Sequence, residues 1–224
     1  MESSMWNDKY APTNKTELML PASPVIRKLI DNLFLDGSCP YAGILCHDTL
    51  TGGTGKTTFT NMLAKELIKQ GWSKVELETT GNKVSDLEYI KSKFEFEYGA
   101  SRGGLWDKCP KTVVICNEIS DSSTSFIKGL RDVMDKFHQD VLFLFTDNYF
   151  DKLNLATPSM WNNQRVLSIN FDTVPLEDIK SYCVKILDAE GKNTSKNRAT
   201  LDNFFKGRNK ASIRAALSYL ETNV

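Results

Sequence analysis

The sequence predicts an α/β fold: a parallel sheet of five strands flanked by helices, followed by a small all-helical segment. Three observations predict it. Short, continuous apolar runs alternate with amphipathic stretches of helical period, the pattern of strands joined by helical crossovers. A glycine-rich loop, TGGTGKTT, follows the first of those runs and opens a helix. Beyond residue 173 only helical patterns remain, which places an α/β domain at 1–172 and a helical lid at 173–224.

The elements follow in order. Residues 6–24 are polar and punctuated by Pro12, Pro21 and Pro24, so they predict an extended segment lying against the domain. In 25–35, Val25, Ile26, Leu29, Ile30 and Leu33 fall at helical spacing, and Gly37 and Pro40 end the helix. Residues 41–46 read as a buried strand leading into the loop, and 59–71 as a helix stopped by Gly71. VELETT (75–80) is a second strand, 87–98 an amphipathic helix and 99–110 a loop. KTVVIC (111–116) is rich in β-branched residues and predicts a central parallel strand. A helix over 123–138 and strands at 141–146 and 165–171 complete the domain. The tail supplies three helical stretches, in 177–191, 199–207 and 210–223.

Composition narrows the class without naming a function. Among 224 residues, 41% are apolar and 25% charged, ordinary values for a globular chain. Lys plus Arg and Asp plus Glu both number 28, so no global basic excess points to nucleic acid, although a local basic face remains compatible with zero net charge. The five cysteines form no CxxC pair, which argues against a zinc site or disulfide framework and for a reducing, cytosolic setting. No apolar run is long enough to span a membrane, and the N-terminus lacks the pattern of a signal peptide.

The loop carries the first chemistry. A triphosphate needs backbone N–H groups turned inward, a cation and a hydroxyl for Mg²⁺. Gly52, Gly53, Thr54 and Gly55 supply the turn, Lys56 the cation, and Thr57, with Thr58 behind it, the hydroxyl. The usual first glycine is replaced by Leu50. At the end of 111–116 stand Asn117 and Glu118, where ATPases with this loop carry two acids, one for the metal and one for the attacking water. Asn117 brings an amide in place of the metal-side charge. Nucleotide binding is therefore expected to survive and hydrolysis to be the step at risk. Asn148, at the end of the next strand, reads equally well as a turn residue and as a sensor of the γ-phosphate.

Several segments together resemble one family. WNDKYAP (6–12) is similar to the W-x-E-K-Y-R-P opening of clamp-loader ATPase subunits, AAA+ proteins of the replication factor C small-subunit type. TELMLP, TGGTGKTT, Asn117-Glu118, LRDVMD (130–135) and FTDN match that family's motifs in the same order, over most of the chain, with particular likeness to bacteriophage clamp loaders. The resemblance implies ATP and Mg²⁺ as cofactors, with Tyr10 and Pro12 over the adenine and Lys56 and the loop amides on the phosphates. Thr57 and Asn117 then hold the metal, Glu118 the water, and Asn148 and Lys210 the γ-phosphate, with Arg208 and Arg214 close to Lys210. It also implies a sliding clamp, primer-template DNA and further subunits of an oligomeric assembly as partners, no membrane, and the cytoplasm of a phage-infected bacterium as the setting. Lys83, Lys91, Lys128 and Arg131 are the implied DNA contacts.

Three departures qualify that picture. The family's trans-acting arginine falls at Asn163, within Asn162-Asn163-Gln164, and its second sensor arginine is replaced by Lys210. The sequence also stops where family members continue into a helical collar, so either it is a truncated chain, or it assembles differently, or it forms no such ring. A nucleotide-binding scaffold with impaired hydrolysis is the alternative reading. A small-molecule kinase is disfavoured, because no arginine-rich lid over a second substrate is visible.

Overall fold

The computed structural model describes residues 5–50, 52–77, 84–101, 110–161 and 165–224. Thr51, Lys83 and the triplet containing Asn163 lie outside the described residues. Five parallel strands form one sheet in the order β2-β3-β4-β1-β5. They are β1 (Gly43–His47), β2 (Ser73–Leu77), β3 (Thr112–Cys116), β4 (Val141–Asp147) and β5 (Val166–Asn170). The central three, β3, β4 and β1, are buried along their whole length, which is why they read as unbroken apolar runs. The edge strand β2 is largely exposed, and its polar Ser73 and Lys74 hid the true start of the ladder.

The strands' alternation divides the interior into two cores. One face carries Ile44, Val113, Ile115, Leu142 and Leu144 beneath α2 (Pro24–Asp36) and α3 (Lys56–Lys69). The other carries Leu45, Val114, Phe143 and Phe145 against α4 (Val84–Ser101) and α5 (Thr124–Phe137). Side-chain caps start α2 and α5: Ser23 accepts from the Ile26 amide, and Ser123 accepts from the Phe126 amide. The lid helices α7 (Leu176–Ala189), α8 (Ser195–Phe205) and α9 (Ile213–Asn223) place Ile179, Cys183, Ile186, Leu217 and Leu220 in the same cluster as the first face. The lid core is therefore continuous with the sheet core. Burial pushes the Cys183 thiol up to about 12, so it serves as a small apolar group.

Two expectations differ. The opening segment is not simply extended: α1 (Trp6–Lys9) and a turn of 3₁₀ helix (Lys15–Glu17) fold it. The Trp6 indole is buried, and its amide donates to Glu221 Oε1 at 2.5 Å, fastening α1 to α9. The short α6 (Phe150–Ala156) was not expected, because fewer than two apolar turns give the period little to act on.

Candidate nucleotide site

In an open parallel sheet, ligands bind beyond the carboxyl ends of the strands, where the strand order reverses. Here β1 ends in the glycine loop, β3 in Asn117-Glu118 and β4 in Asn148, and these strands are neighbours. The three chemistry-bearing segments therefore converge by topology alone.

The loop has the backbone a cradle needs. Gly52, Gly53 and Gly55 have φ of 92°, 79° and 101°, values that glycine adopts freely. Gly55 caps α3, whose first residue is Lys56, so the helix N-terminus and its unpaired amides face the loop. A Cβ on Gly53 would lie 2.4 Å from Arg214 Cβ and 2.6 Å from Ser212 Oγ. That close approach is held by two hydrogen bonds, from the Arg214 amide to Gly53 O (3.1 Å) and from Ser212 Oγ to Gly52 O (2.9 Å).

Above the loop lies a cavity of about 650 Å³. Gly52, Gly53, Gly55, Lys56, Thr57 and Thr58 form its floor, and Glu118 and Asn148 reach it from the sheet. Tyr10 and Pro12 line it from the opening segment, and Arg214 from the lid. A larger cavity of about 930 Å³ shares Tyr10, Ala11, Leu18, Met19 and Tyr182 with the first. It contains no loop residue, and its Lys15 and Arg27 are paired with Asp31 and Asp178. The smaller cavity is the one that meets the glycine loop, the start of α3 and Lys56.

A chain of side chains crosses its floor. Lys56 Nζ donates to Asp48 Oδ2 at 2.5 Å and to Asn148 Oδ1 at 2.8 Å. Asn148 Nδ2 donates to Glu118 Oε2 at 2.9 Å. Asn148 thus lines the cavity and links Lys56 to Glu118. Glu118 has φ 50°, the left-handed region that a side chain occupies at a cost and that recurs at functional positions. Burial, then the nearby Asp147 charge, hold its carboxyl above the ordinary value.

Other expected residues fall elsewhere. Thr54 is buried and donates inward to Asp48, so it props the loop from beneath. Asn117 accepts from Thr146 Oγ1 at 3.2 Å and is not among the residues lining the cavity. Lys210, expected at the γ-phosphate, lies elsewhere. It precedes α9, donates to Thr49 and lies 3.3 Å from Asp172, outside the cavity lining. Burial alone would raise the Asp172 carboxyl, but hydrogen bonds from Thr49 and Lys210 hold it below the usual range. The lid cation at the cavity is Arg214, in the first turn of α9. Arg208 bonds to Phe204 O and packs over its ring. Lys91 and Lys128 are exposed on α4 and α5, while Arg131 is half-buried beside Asp132 and Ser159.

The residue the sequence did not flag is Asp48, fully buried one position after β1. Its signal was present, an acid ending an apolar strand eight residues before the cradle lysine, but that pattern also describes an ordinary turn.

The positive-φ glycines and the helix-capped lysine fit a triphosphate. Among the described residues no group of three or more His, Cys, Asp or Glu could cage a metal by itself. That donor set fits Mg²⁺ only as an ion held largely by phosphate and water, with Thr57 at hand. No helix among the described residues is long and apolar enough to cross a membrane.

Comparisons with known proteins agree with the architecture. No protein-family model matches the chain. Replication factor C small subunit 2 of Pyrobaculum islandicum is 26% identical over 217 residues, 96% of this chain and 63% of that protein. Replication factor C subunit 3 of Saccharomyces cerevisiae is 24% identical over 88% of this chain and 54% of its own length. Probable replication factor C subunit 5 of Dictyostelium discoideum is 25% identical over 84% and 51%. The chain thus spans less than two thirds of these relatives. The expected phage likeness has no counterpart among these three. In structure, the replication initiator DnaA bound to AMPPCP and single-stranded DNA superposes with a TM-score of 0.57 at 13% identity, covering 92% of this chain and 63% of that one. In sequence the chain is similar to replication factor C small subunits, and its α/β fold is similar to that of DnaA.

Proposed function

We propose that this chain binds ATP with Mg²⁺ in the cavity above the glycine loop and acts as a clamp-loader-type ATPase subunit in DNA replication. The observation that carries the reading is the Lys56–Asn148–Glu118 chain across the cavity floor. It joins a phosphate-binding cation to a base for water. A bound magnesium ion supplies charge neutralisation for the phosphates. Lys56 and the amides at the start of α3 hold the phosphate oxygens, and Thr57 offers oxygen to the metal side, with Asn117 behind it on Thr146. Glu118 accepts the proton of the attacking water, and Asn148 holds the Glu118 carboxylate in place. Arg214 takes the lid-side role that the sequence gave to Lys210. Tyr10 and Pro12 close the base end. By likeness to the named relatives, the partners are a sliding clamp, primer-template DNA and further AAA+ subunits, and Lys83, Lys91, Lys128 and Arg131 are the candidate DNA contacts. The division into an α/β domain and a lid at residue 173 belongs to the same reading.

The test is ATP binding by calorimetry together with single-turnover hydrolysis, each with and without clamp and primed DNA. Binding with clamp- and DNA-stimulated turnover supports the proposal; absence of binding sinks it. Asn117 favours a second reading, a nucleotide-binding scaffold subunit, because an amide stands where the metal-side acid is expected. Binding without turnover in either the wild type or Asn117→Asp selects the scaffold.

A further inference from the structure

Asp48 has no part in the reading above, yet it touches the residue on which that reading depends. Its side chain is wholly buried, and Lys56 is only 4% exposed. Oδ2 accepts from both Lys56 Nζ and Thr54 Oγ1. Oδ1 is also buried and has no hydrogen-bond partner among the described residues. A carboxylate in that setting is tolerated only because a full positive charge lies against it. Conversely, the ammonium that meets the phosphates already has its charge matched from below.

The ammonium has three protons, and Asp48 and Asn148 use two. The third remains for a ligand, so a phosphate can be received without breaking the pair. That phosphate then sits in the field of the Asp48 carboxylate, across a buried region where charges are poorly screened. The repulsion grows with the ligand's negative charge, and a free triphosphate exceeds its magnesium complex by the two charges of the dication. Asn117, uncharged at the end of β3, does not compete for that dication's charge.

We propose that Asp48 is a specificity-determining residue that makes the cradle select magnesium-bound nucleotide over free nucleotide. The proposal rests on the reading of this cavity as the nucleotide site. The same geometry explains why Thr54 points inward: its hydroxyl shares the burden of the carboxylate.

The test compares affinities of the full chain for ATP in magnesium and in excess EDTA, with adenosine as a ligand lacking phosphate, for wild type and Asp48→Asn. The wild type is expected to prefer the magnesium complex strongly. Asp48→Asn is expected to raise affinity for free ATP by roughly tenfold more than for the magnesium complex, leaving adenosine unchanged. An unchanged or widened preference overturns the proposal. So does a uniform loss for all ligands, adenosine included, which marks a purely structural role. If Asp48→Asn fails to show a cooperative melt, Asp48→Ser carries the same comparison. Failure of the wild type to bind ATP in either buffer overturns the nucleotide reading and this proposal together, whereas binding with an unaltered preference removes only the latter.

Discussion

The Asn148 amide donates to Glu118 Oε2 at 2.9 Å, so the residue at the end of β4 fixes the carboxylate at the end of β3. Without that bond Glu118 keeps its location but loses its aim. Asn148→Ala is expected to lower single-turnover hydrolysis about 100-fold, the scale of a misplaced catalytic group, with a much smaller change in ATP affinity. Equal losses in binding and turnover would contradict a positioning role.

Glu118 itself should separate binding from chemistry. Glu118→Gln is expected to retain ATP and lose turnover. Because burial and Asp147 raise the wild-type carboxyl, the rate of hydrolysis should rise with pH through that elevated value as the base form accumulates. The stability effect has the opposite sign. A carboxyl with a raised folded-state value favours folding in its protonated form, so its contribution falls as pH rises above the unfolded value. Thermal melts of Glu118→Gln should therefore gain on wild type at pH 7 and converge with it in acid.

The buried pair of Lys56 and Asp48 predicts a stability result distinct from ligand affinity. Lys56→Met leaves a buried carboxylate without its cation and should cost about 3–5 kcal/mol by denaturant unfolding. Adding Asp48→Asn to that variant should recover much of the loss. Additive losses would show that the two side chains do not interact.

Arg214 and Lys210 can be told apart directly. Arg214 lines the cavity, whereas Lys210 is committed to Thr49 and Asp172. Arg214→Ala should weaken ATP more than ADP, and Lys210→Ala should leave the ATP-to-ADP ratio unchanged. The reverse pattern would restore the assignment made from sequence.

Gly53 is where loop and lid meet. Gly53→Ala imposes a side chain at φ 79° and drives its Cβ into Arg214 and Ser212. The left-handed conformation alone costs about 1–2 kcal/mol, and displacement of α9 should weaken ATP further. Hydrogen exchange of the α9 amides should report the loosening.

The central strands were legible because burial on both faces leaves no choice but an apolar run, as in Val113–Ile115 and Leu142–Phe145. The glycine loop was legible for a different reason: few residue types supply its dihedrals. What stayed hidden was decided by tertiary contact. Lys210 and Arg214 sit on the same short stretch of chain, and only the cap at Ser212 turns one into the cavity and leaves the other in the connection before the helix. Asp48 gave no periodic signal, since its meaning comes from Lys56 folding back over it. The polar start of β2 was obscured because an edge strand is half solvated.

Trp6 is joined to Glu221 across almost the whole length of the chain, and Tyr10 is tied to Glu190 by its hydroxyl and to Tyr182 by its carbonyl. The wall over the loop thus joins segments that lie about two hundred residues apart in the chain. During synthesis the glycine loop emerges after Tyr10 and Pro12 but long before Arg214, which lines the cavity from the lid. A nascent chain stalled before α9 would hold the sheet and the cradle yet lack the wall that Arg214 and Leu217 give the cavity.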